Sequence, residues 1–67
     1  MRPGIYRHFK GGVYEVLMTG WHTEAEEVCV IYRDIEIKEI QIRPLDMFAE
    51  TVEVDGKSVP RFERIRD

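Results

Sequence analysis

His22-Thr23-Glu24, preceded by Gly20 and Trp21, is the densest group of side chains able to do chemistry. In an extended chain His22 and Glu24 project from the same side, a spacing at which a carboxylate orients an imidazole or both groups ligate a metal. Zinc-deaminase chemistry would also require Pro-Cys-x-x-Cys, which a chain with one cysteine lacks. The structural alternative is a polar loop in which His22 or Thr23 hydrogen-bonds its own turn. These residue types favour turn structure or ligand contact over catalysis.

His8 is the other histidine, inside Tyr6-Arg7-His8-Phe9-Lys10-Gly11. Two histidines and a carboxylate suffice for an open metal site, but no spacing here demands one, and neither a metal nor a cofactor is expected. Tyr6 and His8 share one face of an extended segment, where they either pack on the fold or meet a ligand. No Ser, Thr or Cys stands in a nucleophile elbow beside a base and an orienting carboxylate, so no catalytic residue is assigned and an enzyme is not the favoured reading. Gly11-Gly12 reads as a hairpin turn; no helix start follows it to receive a phosphate.

Charge narrows the partners. Ten Lys and Arg against thirteen Asp and Glu leave a formal charge of −3, which supplies no whole-molecule attraction to nucleic acid or to an acidic membrane. Local charge is less even: Arg2, Arg7 and Lys10 near the start and Lys57, Arg61, Arg64 and Arg66 near the end flank an acidic Glu24 to Glu27. Cys29, in the apolar run Val28-Cys29-Val30-Ile31, excludes an internal disulfide and reads as a packed small hydrophobe. The longest apolar run is far too short for a membrane span, and the expected location is the cytoplasm.

These groups must be positioned by strands. The chain shows short alternating segments between turn residues and no sustained helical spacing, so the expectation is a mostly β, single small domain over residues 1–67. Ile5 to Phe9 is expected as a short edge strand. Val13 to Thr19 follows, with Tyr14, Val16 and Met18 on one face and Val13 and Leu17 on the other. Glu26 to Arg33 is the next strand, with Val28, Val30 and Tyr32 together. Between Ile35 and Ile42 the isoleucines change phase, so either a turn lies around Asp34 to Lys38 or a bulge absorbs one residue, and the turn is expected. Arg43-Pro44 stops the following strand, and Leu45 to Phe48 is one helical turn. Thr51 to Val59 is a hairpin about Asp55-Gly56, a type I′ turn that sets Val52 opposite Val59 and Glu50 opposite Arg61. The sum is a strongly curved five- or six-stranded antiparallel sheet, or an SH3-like barrel, with one short helical turn. Met1 to Gly4 and Arg66-Asp67 are expected to fray. So short a chain buries only about 60% of its unfolded surface, which makes a partner chain a natural source of further stability.

The order of blocks carries a resemblance. Pro3 to Gly11, Tyr14-Glu15-Val16-Leu17, His22-Thr23-Glu24, Val30-Ile31-Tyr32, Arg43 to Phe48 and Pro60-Arg61-Phe62 together resemble the bacterial family called domain of unknown function 1653, over nearly the whole chain. The resemblance implies a short bacterial domain without an established activity. Members often carry a tryptophan where this chain has Gln41, and a glycine-containing turn where it has Glu36 to Glu39.

The matching blocks include polar residues that a bare fold does not require: Tyr6, His8, Lys10, His22, Glu24, Arg43 and Arg61. Gathered at one end of the fold, they would suit a carboxylate or phosphate held by charge-assisted hydrogen bonds. The expected function is a binding module for a small anionic ligand or a peptide segment. The alternatives are a nucleic-acid-binding β-barrel that uses the basic ends, a structural homodimer paired through Ile5 to Phe9 with no ligand, and arginines that merely brace the fold against Glu24 or Glu50.

Overall fold

Gly11, at a φ of 108°, lets the chain reverse after its first strand, with the His8 N–H on the Gly12 carbonyl and the Gly11 N–H on the His8 carbonyl. The computed structural model describes all 67 residues. The strands on either side of this turn are β1 (Gly4–His8) and β2 (Val13–His22). They are followed by β3 (Glu27–Asp34), β4 (Ile40–Pro44), the single helical turn α1 (Leu45–Phe48), β5 (Thr51–Val54), β6 (Lys57–Pro60) and β7 (Phe62–Arg66). Five strands form one antiparallel sheet in the order β4-β3-β2-β1-β7, and β5 and β6 form a separate hairpin.

The β character, the antiparallel pairing and the single helical turn match the sequence expectation, whereas the chain has seven strands where five or six were expected. The additional strand is the basic tail Phe62–Arg66, in which Phe62 and Ile65 stand three apart without strand alternation, so the strand is set by its pairing with β1. That pairing also corrects the placement of β1. Ile5 to Phe9 was expected at an edge, but β1 lies between β2 and β7, so its edge is not open to a second copy. The sheet ends at β4 and β7, which do not pair with each other, and no closed barrel is found.

Two local features redirect side chains. Between Val16 and Met18 the β2 to β3 register shifts by one residue, leaving Leu17 as a bulge. Met18 therefore faces the side opposite to Tyr14 and Val16, not their side as strict alternation implies. At the end of β3, Asp34 Oδ1 accepts from the Glu36 and Ile37 N–H groups and Lys38 takes a φ of 61°, so the phase change among the isoleucines is a turn. The Asp55-Gly56 hairpin has both residues at positive φ, 51° and 79°, with Val52 opposite Val59 as its sequence dictates.

One face of the sheet carries the core. Tyr6, Val16, Val30, Tyr32 and Phe62 project from it, and α1 lays Phe48 across them. The core is largely aromatic: Phe48 stacks on Phe62 at 4.0 Å and 4°, and Tyr32 meets both rings edge-on at 5.3 and 5.8 Å. Val28, expected beside Val30 and Tyr32, is exposed near the tip of the β2–β3 hairpin. No helix of the chain is long and apolar enough to cross a membrane.

Candidate functional site

Phe62 begins β7 opposite His8, which ends β1, so alternation points both side chains to the core face of the sheet. Their rings meet edge-on at 4.9 Å, and the ring of Phe9, the next residue in the chain, lies 4.6 Å from His8. Arg43 reaches the same place from β4. It pairs with Val30 on β3, which puts it on the core face; its guanidinium carbon lies 5.7 Å from the Phe62 ring centre, and its Nε donates to the Tyr32 hydroxyl at 3.2 Å. Arg61 enters with the backbone, since its carbonyl accepts the Phe9 N–H at 2.9 Å. Lys10 follows in the turn, with Nζ 5.7 Å from the Phe9 ring centre.

Three positively chargeable side chains, His8, Lys10 and Arg43, thus lie against two aromatic rings, and Arg61 brings a fourth positive charge near His8. One carboxylate is ion-paired to them: Glu50 Oε1 accepts from Arg61 Nε at 2.9 Å and pairs with its Nη2 at 2.5 Å. Arg43 is half-buried without a carboxylate partner, unlike Arg33, which pairs with Glu15, and Arg64, which pairs with Asp67. The field is legible at His8. Burial holds its imidazole below the ordinary pKa, and the neighbouring charges of Arg61, Arg43 and Lys10 push it in the same direction. Its Nδ1 accepts the Lys10 backbone N–H at 3.1 Å, so the neutral ring carries its proton on Nε2, as a donor. A hollow of about 340 Å³ opens beside His8, lined also by Arg7, Phe9, Gly11 and the Glu63 carboxylate and by Val54, Val59 and Pro60 of the β5–β6 hairpin.

Of the seven residues singled out in the sequence, His8, Lys10, Arg43 and Arg61 come together. Tyr6 lies in the core beneath, and its hydroxyl donates to the Arg2 carbonyl at 2.8 Å. His22 and Glu24 are elsewhere, at the tip of the β2–β3 hairpin. His22 ends the ten-residue β2, roughly 30 Å from its start at about 3.3 Å per residue. There His22 Nδ1 accepts the Ala25 N–H at 2.9 Å and Thr23 Oγ1 donates to Glu24, so the group caps its own turn. His8 and His22 therefore do not meet, and no group of three or more metal-ligating side chains forms.

Tyr32 and Phe62, both core residues, are also the support and the floor of this cluster.

A family model described as "Protein of unknown function (DUF1653)" matches residues 4–64. The chain belongs to this family. The crystal structure of a member from Bordetella bronchiseptica superposes with a TM-score of 0.88 at 33% identity, covering 98% of this chain and 88% of that one. No curated protein matches the chain. The matched residues span every strand from β1 to the middle of β7, so the family segment contains the whole cationic cluster.

Proposed function

We propose that this DUF1653 domain is a binding module for a small anionic ligand, a carboxylate or a phosphate group, held around Phe62 by Arg43, Lys10 and His8, with Arg61 beside them. The observation that carries this reading is the placement of His8, Lys10 and Arg43 against Phe62 and Phe9, with Arg61 close enough for its charge to act on His8 and paired to Glu50. Such a cluster repels itself until a counter-charge enters, and a planar guanidinium with free Nη donors is suited to receive one. The hollow beside His8 gives room for the uncharged remainder of a ligand or for a short peptide segment.

The test is a titration with inorganic phosphate, and separately with acetate, followed by NMR of the His8 ring and of the Arg43 and Lys10 amides. Saturable shifts confined to these residues are expected, with affinity reduced about tenfold in Arg43→Gln. Absence of saturable shifts with either anion, at low salt, would overturn the reading.

A further inference from the structure

The two edges of the five-stranded sheet differ in kind. β7 presents Glu63, Arg64 and Arg66, charges of the sort that keep a strand edge from pairing with another chain. β4 has no such protection along its middle. It reads Ile40-Gln41-Ile42, with Ile40 54% and Ile42 64% exposed, and its free side has no neighbouring strand.

We infer that β4 pairs antiparallel with β4 of a second copy, in the register centred on Gln41. The sequence is self-complementary about that residue: Glu39-Ile40-Gln41-Ile42-Arg43 has an acid at one end, a base at the other and matching isoleucines between. In an isologous pair the partners about Gln41 are Ile40 with Ile42, Glu39 with Arg43, and Gln41 with itself, each occurring twice except the last. A register shifted by one residue would set Ile40 against Arg43, which lie on opposite faces, and is excluded by the pleat. Registers shifted by two lose both Glu39–Arg43 pairs.

Packing supports the same arrangement. Met18, Ile31 and Ile42 form a cross-strand row on the face away from the aromatic core. An antiparallel sheet with one solvated face is ordinarily polar there. Pairing at β4 extends this row into the second copy, where Ile42 meets Ile40 as a cross-strand aliphatic pair. The partner's Glu39 would approach Arg43 from the open side of the strand. The association does not depend on the anion-binding proposal, although both engage the terminal nitrogens of Arg43.

Charge reversal tests the register. Sedimentation equilibrium should show a concentration-dependent dimer for the native chain. Glu39→Arg and Arg43→Glu, each folded by circular dichroism, should each weaken it at least tenfold by setting like charges opposite. An equimolar mixture of the two variants should dimerise again, since both cross-strand pairs then become opposite in sign. Ile40→Glu, at an exposed position, should also weaken the dimer, and it stands in for Arg43→Glu if that variant does not fold. A native chain that stays monomeric at about 1 mM would overturn the inference and leave this edge to a different partner. So would dimerisation unaffected by Glu39→Arg or Ile40→Glu, or a mixture of two folded charge variants that stays monomeric.

Discussion

Arg43 Nε donates to the Tyr32 hydroxyl at 3.2 Å, so a guanidinium near the sheet edge is aimed by a ring that is itself locked in the core. Tyr14, Phe48 and Phe62 all meet the Tyr32 ring edge-on, which leaves the hydroxyl little freedom to move. Tyr32→Phe removes the acceptor and retains the ring. It should cost about 1 kcal/mol in urea denaturation. If the hydroxyl pre-orients Arg43 for an anion, phosphate affinity should fall roughly fivefold, the equivalent of about 1 kcal/mol. Phosphate binding identical to that of the native chain would show that the bond only braces the sheet.

His8 predicts the pH dependence of stability. Its folded pKa lies below the ordinary value, first through burial and then through Arg61, Arg43 and Lys10. The unfolded chain therefore binds the proton more readily, and the His8 contribution to stability rises with pH. The domain should lose stability as pH falls below about 6.5, the ordinary imidazole value, and continue to lose it down to the lowered folded value. His8→Gln should flatten that part of the profile in denaturant titrations taken at successive pH values. Saturating phosphate should also raise the His8 pKa, visible in the ring proton shifts. An unchanged profile in His8→Gln would mean that the field at His8 is too weak to matter.

Much of this arrangement is legible in the residues, and the misses have identifiable physical causes. Asp55-Gly56 specifies its turn locally because both residues tolerate positive φ, and the hairpin register follows. Pro44 ends β4 and places Phe48 over the sheet in the same way. Met18 was misplaced because a bulge at Leu17 depends on how β2 meets β3, not on β2 alone. β7 escapes a local reading because its charged residues acquire a sheet position only from a partner strand more than fifty residues away in sequence. The candidate site divides along the same line. Side chains brought together by the β1 turn and by the β1–β7 pairing converge, whereas the His22 group, dense in sequence, caps its own hairpin.

Gly4 tests the pairing of β7. It has a φ of 145°, and a Cβ added there would stand 2.7 Å from the Arg66 carbonyl oxygen, which is backbone and cannot swing aside. Gly4→Ala should therefore destabilise the domain by more than about 1 kcal/mol. The loss should be concentrated at the β1–β7 seam. Hydrogen exchange should show faster exchange of the β7 amides, Phe62 to Arg66, than of those in β2 and β3. Gly11→Ala is the control for clash: Gly11 also has a positive φ, 108°, but an added Cβ meets nothing within 4 Å, so only the conformational cost remains. Equal exchange rates in β7 for the two variants would refute a steric origin.

Glu50 is the one carboxylate ion-paired within the cationic cluster, and its substitution separates bracing from binding. Glu50→Gln leaves a side chain of nearly the same shape while removing the charge that neutralises Arg61. The pair is partly solvent-exposed, so the loss of stability should stay under about 1 kcal/mol. The electrostatic consequences should be larger than the structural one. With Arg61 uncompensated, the His8 pKa should fall further, and phosphate should bind more tightly at low ionic strength. Raising the salt from about 10 mM to about 300 mM should shrink both effects, because the groups face solvent and the Debye length contracts several-fold. NMR titration of the His8 ring, with and without phosphate, measures both quantities in one sample. A tighter complex with a lower free His8 pKa would mean that Arg61 contributes to the anion site and that Glu50 holds it partly in check. If neither quantity moves, the Arg61–Glu50 pair serves only to join the start of β5 to the start of β7.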